Sequence, residues 1–95
     1  MTPRPKKLRR CEGQFCGRAF KPTGTPLPEL QQVELHLDEL EALRLCDFVG
    51  LTQEEAGVKM GVSRGTIQRI ITGARKKTAQ ALTEGQALIF IDSES

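Results

Sequence analysis

The side chains with the clearest chemical potential lie between residues 58 and 82, a stretch with six basic residues and no acid. At about 100° per residue, a helix places Gln68, Arg69 and Thr72 on one side of this stretch. Arginine can donate two hydrogen bonds to the edge of guanine, and glutamine can bond adenine in a similar bidentate way. The pattern predicts that five residues read base edges in duplex DNA: Arg64, Thr66, Gln68, Arg69 and Thr72.

A second set of residues is suited to the phosphates of the same duplex. A basic cluster follows the donors along the helix, and its charge would neutralise phosphates. Polar residues at two helix starts would add contacts, because helix N-termini favour anions. Residues 1–10 form a basic arm that either enters the minor groove of A·T-rich DNA or acts as a nonspecific tail. The predicted phosphate contacts are Thr52, Gln53, Ser63, Arg75, Lys76, Lys77, Arg4, Lys6, Lys7, Arg9 and Arg10.

Two cysteines offer a weaker chemical signal. Cys11 and Cys16 have a C-x4-C spacing, but zinc or an iron–sulfur cluster requires four ligands. Only His36 and Cys46 remain as further candidates, and Cys46 is predicted to face a helical core. We therefore expect free thiols and no cofactor, since cytosolic cysteines are normally reduced. A metal-gated or redox-gated regulator that uses Cys11 and Cys16 remains an alternative.

Catalytic motifs are not found in the sequence. His36 is the single histidine, and it alternates with apolar residues on a predicted strand. The sequence contains no nucleophile elbow, P-loop or H-E-x-x-H motif. The acids Asp38 and Glu41 are better explained by the positive end of a helix dipole than by acid–base catalysis. We therefore predict that the chain is not an enzyme.

Three helices are expected to position these residues. The first covers residues 38–49, with Ala42, Leu45, Cys46 and Val49 on one face, and ends at Gly50. Thr52 begins the second, because Thr52 and Glu55 fit a capping box. Gly61 makes a tight turn. Ser63 caps a third helix that runs to about Thr83, just before Gly85.

The second and third helices together fit a helix-turn-helix over residues 53–71. Gly57 lies where the two helices would approach each other. The positions expected between the helices are all apolar, namely Ala56, Met60, Val62, Ile67 and Ile70. The buried side of the third helix is predicted to comprise Ile67, Ile70, Ile71, Ala74, Thr78 and Ala81. The opposite side is predicted to present Gly65, Gln68, Arg69, Thr72 and Lys76.

Two short strands flank the helices. Residues 32–37 alternate polar and apolar types, and residues 87–91 form an apolar run of strand formers. The two segments could pair in a small sheet beside the helices. The predicted fold is mainly α: a three-helix helix-turn-helix with a small β element from the N- and C-terminal segments. The expected division is a basic arm, loop and strand at 1–36, the DNA-binding domain at 37–83, and a strand and tail at 84–95.

Composition fits a small DNA-binding protein of the cytoplasm. The chain has 95 residues and a net charge of +2. That charge is the balance of two basic blocks at 1–21 and 58–82, an acidic block between them at 22–57, and three acids in residues 83–95. Segregated basic blocks are typical of surfaces that meet phosphates. No apolar run approaches the length of a membrane span, and residues 1–10 lack the apolar stretch of a secretory signal.

Several segments together resemble a small family of uncharacterised bacterial and archaeal proteins that are predicted to bind DNA. They are PRPKKLRR at 3–10, FKPTGTPL at 20–27, LDELEALRL at 37–45, LTQEEAGVKMGVSRGTIQRII at 51–71, ARKKTAQAL at 74–82 and EGQAL at 84–88. The family's helix-turn-helix is similar to region 4 of sigma factors, and the resemblance implies a DNA-binding role.

The chain departs from the family pattern at three places. Gly57 replaces the usual alanine, which is expected to weaken the second helix by roughly 0.5–1 kcal/mol. Gly65 provides no side chain at an exposed position of the third helix. Cys11 and Cys16 stand where other residues are expected.

Double-stranded DNA is therefore the expected partner, and the chain is expected to regulate transcription. RNA polymerase or another regulator would be a further partner, and no membrane contact is expected. Because one reading helix covers only a few base pairs, a homodimer is also predicted, through the sheet or the first helix. The main alternative is a protein-interaction module of the transcription machinery, whose acidic helix at 38–47 docks on a basic partner.

Overall fold

A computed structural model describes residues 19–92 and confirms a mainly α fold with a small sheet from the N- and C-terminal segments. Two strands precede the helices along the chain and one strand follows them. The elements are β1 (Ala19–Phe20), a single 3-10 turn (Leu27–Glu29), β2 (Gln32–His36), α1 (Leu37–Leu43, continued as a π-helix over Arg44–Val49), α2 (Gln53–Met60), α3 (Arg64–Glu84) and β3 (Ala87–Ile91).

The last strand, β3, lies at the centre of the sheet. It pairs with β1 in the antiparallel sense and with β2 in the parallel sense. Val33 pairs with Leu88 and Leu35 with Phe90, so the predicted pairing of the two apolar segments is confirmed. A parallel pair needs a long crossover, and the three helices supply it. The strand β2 ends at His36, because Leu37 already begins α1.

Helix α1 changes its winding before it ends. The amide of Gly50 donates to the carbonyl of Leu45 at 3.1 Å, which is the five-residue spacing of a π turn. Ala42 and Leu45 are buried as predicted. The wider turn rotates the last residues away from that face, and Val49 is 51% exposed. The prediction that Val49 shares the buried face is therefore wrong.

Helices α2 and α3 begin at the predicted caps. The hydroxyl of Thr52 accepts a hydrogen bond from the amide of Glu55 at 3.0 Å, and the Glu55 carboxylate accepts one from the amide of Thr52 at 2.9 Å. Ser63 accepts a bond from the amide of Thr66 at 3.1 Å. Gly61 adopts φ 73°, the left-handed conformation that a tight turn requires. Each of the two helices therefore begins at a capped N-terminus, and Gly61 makes the turn between them.

Two buried clusters fix α3 against the rest of the chain. One contains Leu45, Ala56 and Ile67, and it joins the end of α1 to α2 and α3. The other joins α3 to the sheet and comprises Leu35, Ala74, Ala81 and Leu88. Of the predicted buried positions, Ile70 and Thr78 are only half-buried and Val62 is 37% exposed. Ile70 lies at the edge of the predicted apolar face of α3, and Val62 lies in the turn before that helix.

Gly57 marks the closest approach between α2 and the turn. A Cβ atom at this position would lie 2.6 Å from the carbonyl oxygen of Val62, a distance that real Cβ atoms do not occupy. The amide of Val62 also donates to the carbonyl of Gly57 at 2.9 Å. The expected cost of glycine in a helix is therefore only part of its effect, because a side chain here would force the turn apart.

Candidate nucleic-acid interface

Helix α3 has one buried and one exposed side, as its sequence predicts. Ile67, Ile71 and Ala74 have no exposed area, and Ala81 is 4% exposed. The exposed side is the surface called here the reading face. It consists of Gly65, Gln68, Arg69, Thr72 and Lys76, all of which are exposed. Because this face contains hydrogen-bond donors and no acid, its chemistry suits acceptors and anions.

The first turn of α3 holds one arginine in place. The hydroxyl of Thr66 accepts hydrogen bonds from the Ser63 hydroxyl at 3.0 Å and from Nη2 of Arg69 at 3.3 Å. Ser63 and Thr66 therefore link the cap of the helix to Arg69. Within residues 19–92, the other guanidinium N–H groups of Arg69 form no further hydrogen bond. An arginine held in this way loses less side-chain entropy when it binds.

Gly65 on the reading face and Gly73 beside it have no side chains, so the surface around them is recessed. Gly65, Gln68, Arg69, Thr72 and Gly73 line an open depression along the helix. The neighbouring depression is lined by Arg69 and Ile70 of α3 together with His36, Asp38 and Glu39 of the β2–α1 junction. Arg69 lies between the two depressions. Its side chain is therefore placed to meet a ligand that lies along α3.

The basic cluster in the middle of α3 is divided between two roles. Arg75 forms a bidentate pair with Asp47 of α1, at 3.0 and 2.7 Å, and Lys77 donates to Glu39 of α1 at 2.9 Å. Lys76 is exposed on the reading face and makes no such bond within residues 19–92. All three residues of this cluster were predicted to contact phosphates. Lys76 is the one that points outward without an acid partner in this part of the chain.

The two ion pairs differ in their exposure. The side chains of Arg75 and Asp47 are 52% and 40% exposed, whereas those of Lys77 and Glu39 are 31% and 14% exposed. The hydrogen bonds from Arg75 lower the pKa of the Asp47 carboxyl and raise the pKa of Arg75 itself. Glu39 additionally accepts a hydrogen bond from the amide of His36 at 2.9 Å. Glu39 therefore joins the start of α1 to the middle of α3.

The acids of α1 are largely neutralised within the chain. Glu39 and Asp47 bind the cations of α3, and Glu41 binds Arg44 at 2.9 Å. The hydrogen bonds from Arg44 lower the pKa of Glu41. Asp38 is the one acid of this helix for which the described region shows no cation partner. The helix therefore carries far less free negative charge than its sequence suggests.

Other predicted site residues have separate positions. Thr52 is exposed at the start of α2, where its hydroxyl caps the helix, and Gln53 is half-buried beside it. Arg64 is exposed at the start of α3. The predicted arm residues Arg4, Lys6, Lys7, Arg9 and Arg10, and the cysteines Cys11 and Cys16, lie outside the described residues.

No metal site is present in residues 19–92, where no group of three or more His, Cys, Asp or Glu side chains could hold an ion. Cys46 is a half-buried free thiol. Within the same residues, no helix is both long enough and apolar enough to cross a membrane.

The pairing of α1 with α3 is the part of the site that the sequence did not predict. Asp47 and Arg75 are 28 residues apart, and Glu39 and Lys77 are 38 apart. No local spacing rule connects residues at such separations. The available signal was the acid at the third position of α1, since an acid there often bonds the amide of the cap residue. That signal identifies the bond of Glu39 to His36 but not its bond to Lys77.

Comparisons with known proteins place the chain among proteins of similar length and longer. Residues 1–94 match the family model described as Protein of unknown function DUF134. A UPF0251 protein of Halothermothrix orenii is 54% identical over 87 residues, which cover 92% of this chain and 64% of the relative. One of Vibrio parahaemolyticus is 47% identical over 92 residues, covering 97% of this chain and 96% of the relative.

The relatives also include an archaeal protein. The UPF0251 protein of Pyrococcus furiosus is 50% identical over 92 residues, covering 93% of this chain and 82% of the relative. No solved structure matches the chain. These matches confirm the expected family of uncharacterised bacterial and archaeal proteins. The likeness to sigma factor region 4 stays a prediction, since no match concerns it.

Proposed function

We propose that this chain, which belongs to the family described as Protein of unknown function DUF134, is a sequence-specific duplex-DNA-binding protein of the cytoplasm that regulates transcription. One observation carries the proposal. The 21-residue helix α3 follows a tight turn and presents an exposed face of donors without acids, while its other side is buried. A helix of this kind fits the major groove, which is about 12 Å wide.

The first half of the reading face would meet the bases. Gln68 and Arg69 lie one turn into α3, where the residues of a recognition helix meet base edges. Arg69 would bond guanine in a bidentate way and Gln68 would bond adenine. Thr66 is half-buried and holds Arg69, so we assign it a supporting role. Arg64 and Thr72 would contact the neighbouring base pairs on either side.

The phosphates would be bound by groups at the margins of this face. Lys76 lies further along the exposed side of α3 and has no acid partner in the described region. A phosphate role for Arg75 or Lys77 would require breaking its ion pair with α1. Lys76 is therefore the strongest phosphate candidate of the three. Thr52 and Gln53 are the candidates for a second phosphate at the start of α2, which would have to approach beside the exposed acids Glu54 and Glu55.

The neutralised acids of α1 favour DNA binding over docking of this helix on a basic protein. A basic partner would have to compete with Lys77, Arg44 and Arg75 for Glu39, Glu41 and Asp47. The donors of the reading face need no such exchange. A homodimer is part of the proposal, because one reading helix specifies only a few base pairs and two half-sites lengthen the site.

The test is selection of bound sequences from a pool of random duplex DNA, followed by fluorescence anisotropy on the selected duplex at several salt concentrations. We expect an enriched motif of a few base pairs per half-site and an affinity that falls as salt rises. Scrambled duplex and single-stranded DNA of equal length serve as competitors. No enriched motif, or equal affinity for the selected and scrambled duplexes, would contradict the proposal.

A further inference from the structure

An apolar groove runs along the outer side of α1. Leu37, Leu40, Leu43 and Phe48 line it, with the charged residues Glu41, Arg44 and Asp47 among them. We call this surface the α1 groove. Phe48 is 85% exposed, the largest exposed fraction among the exposed large apolar residues of the described chain. A contiguous apolar surface with a charged rim is typical of a protein-binding site.

The π-helical end of α1 creates this exposure. Its wider winding turns Phe48 and Val49 toward solvent, whereas Leu45 stays in the core. Such π turns are rare and are often found at functional sites. A regular α-helix could also lead to Gly50, so the wider π turn is not required for the chain to continue to that residue. The turn therefore places an exposed aromatic side chain on the lining of the groove. Aromatic side chains are enriched among the interface residues that contribute most to binding.

The charge pattern of the α1 groove is complementary to the same pattern on a second copy of the chain. Glu41 and Arg44 have opposite charges and lie three residues apart on the exposed side of α1. Arg44 and Glu41 of one chain pair with each other at 2.9 Å. Under a two-fold axis with antiparallel helices, Arg44 of each copy would meet Glu41 of the other, so that the same two ion pairs are exchanged from within each chain to between the chains. An interface between identical chains needs this self-complementarity. A strongly basic or strongly acidic partner would instead meet a charge of its own sign.

The sheet leaves less apolar surface for a second copy. The apolar strand β3 lies between β1 and β2, and β2 pairs with it from Ala87 to Ile91. The outer strand β2 presents exposed polar residues, Gln32 and Glu34. A second apolar patch lies near Phe20 and Leu82, which are 66% and 68% exposed, but the residues lining it include one charged side chain, Lys21, and no acid. It lacks the paired charges of the α1 groove.

From these observations we infer that a second copy of this chain docks on the α1 groove and forms a two-fold dimer. The inference rests on the homodimer of the proposed function and assigns its surface. Phe48 of each copy fills the apolar groove of the other, and Arg44 pairs with Glu41 across the interface. None of the groove residues belongs to the reading face of α3, so both reading faces remain free in the dimer.

The first experiment is sedimentation equilibrium of the full chain at micromolar concentration without DNA. We expect twice the 10.5 kDa mass of the chain. Phe48→Ser should weaken the dimer at least about tenfold, because truncating a central aromatic anchor has large effects. Phe20→Ser is the matched control: it removes a similarly exposed phenylalanine from the other patch and should leave the dimer intact.

A charge exchange tests the proposed orientation. Arg44→Glu and Glu41→Arg should each weaken the homodimer, since each places like charges opposite one another. A mixture of the two variants should form a heterodimer about as stable as the original dimer, because both interface contacts then join opposite charges. Native mass spectrometry of the mixture would detect this species. Failure of the mixture to associate more strongly than either variant alone would overturn the orientation.

Three other results would overturn the assignment. A dimer that survives Phe48→Ser but is lost in Phe20→Ser would assign the interface to the other patch. A monomer throughout would remove the dimer, while DNA binding in the anisotropy assay would be unaffected by that result. A monomer whose melting temperature falls with Phe48→Ser and not with Phe20→Ser would assign the groove to another segment of the same chain.

Discussion

The two halves of α3 carry similar basic residues but use them differently. In residues 64–72, Arg64, Gln68 and Arg69 are exposed, and Arg69 is held only by the hydroxyl of Thr66. In residues 73–84, Arg75 and Lys77 are bound to Asp47 and Glu39 of α1. The comparison teaches that the positions of acids elsewhere in the fold, and not the number of cations, decide which basic side chains are free to meet an anionic partner such as the proposed DNA.

We call residues 64–72 the free half of α3 and residues 73–84 the bound half. The contacts of the bound half also fix the position of the free half. Two ion pairs and the buried stripe of Ala74 and Ala81 fix the middle of α3 to α1 and the sheet. The contact of Ile67 with Leu45 and Ala56 fixes its beginning. The reading face therefore lies on a rigid helix, and its donors keep a fixed spacing. Such preorganisation favours specific recognition, since less entropy is lost on binding.

The largest expected effect is on the turn before α3, which positions both halves of the helix. Gly57→Ala would place a methyl group 2.6 Å from the carbonyl oxygen of Val62, so the turn before α3 must move. We expect destabilisation toward the upper end of the ~1–3 kcal/mol range of overpacking. Helix propensity alone predicts the opposite sign, a gain of roughly 0.5–1 kcal/mol. Urea unfolding measures the difference, and a more stable variant would show that the close approach imposes no constraint.

The next prediction concerns the free half. Arg69→Ala should weaken binding to the selected duplex by about 1–3 kcal/mol and should leave binding to scrambled duplex nearly unchanged. The reason is that its guanidinium lies on the reading face, one turn into α3. Arg75→Ala is the matched control on the bound half and should not reduce specificity. Anisotropy with both duplexes gives the values; equal losses on both for Arg69→Ala would indicate a phosphate contact only.

A smaller effect on DNA affinity is expected at Lys76, the exposed lysine of the bound half. Lys76→Ala should lower affinity for all duplex sequences and reduce the slope of log affinity against log salt by about one unit, because one phosphate contact is lost. Lys59→Ala, an exposed lysine on α2, is the matched control and should leave the slope unchanged. An unchanged slope for Lys76→Ala would place the exposed side of this half away from DNA.

The sequence was informative where structure depends on neighbours along the chain. The caps at Thr52 and Ser63, the turn at Gly61 and the buried stripe of α3 follow local rules, and all are present. The pairing of residues 32–36 with 87–91 was also predicted, because both segments are short and rich in strand formers. The parallel sense of this pair, and the central position of β3, follow from the crossover and not from either segment.

Features that depend on distant residues were not predictable in this way. The π turn at the end of α1 turned Val49 outward against its helical spacing. The ion pairs of Arg75 and Lys77 join residues that only the packing of α1 on α3 brings together. The close approach at Gly57 was expected from the sequence, but its partner there, the carbonyl oxygen of Val62, depends on the path of the turn. The residue types were visible in the sequence, but their partners were not.

The smallest expected effect tests the link between α1 and the bound half of α3. Asp47→Asn removes the charge that Arg75 binds, at 2.7 Å. Since the two side chains are 40% and 52% exposed, solvent screens the pair and we expect a loss of only ~0.2–1 kcal/mol at pH 7. A double-mutant cycle with Arg75→Gln isolates the pair from the other effects of each substitution. A coupling energy of zero would remove the pair from the anchoring of α3.

The pH dependence of the same variant has a defined sign. The hydrogen bonds from Arg75 lower the pKa of Asp47 in the folded state, while in the unfolded chain the pKa returns to about 3.9. The pair therefore contributes its full stability above that pH and loses it as the pH falls through the lower, folded-state pKa. We expect the stability difference between the original chain and Asp47→Asn to be constant near neutral pH and to shrink below about pH 4. Glu41 titrates in the same direction in both proteins, so its contribution cancels in the difference. Thermal unfolding between neutral pH and acid measures the curve, and a difference that grows on acidification would exclude the Asp47 carboxylate as the group that anchors this half of the helix.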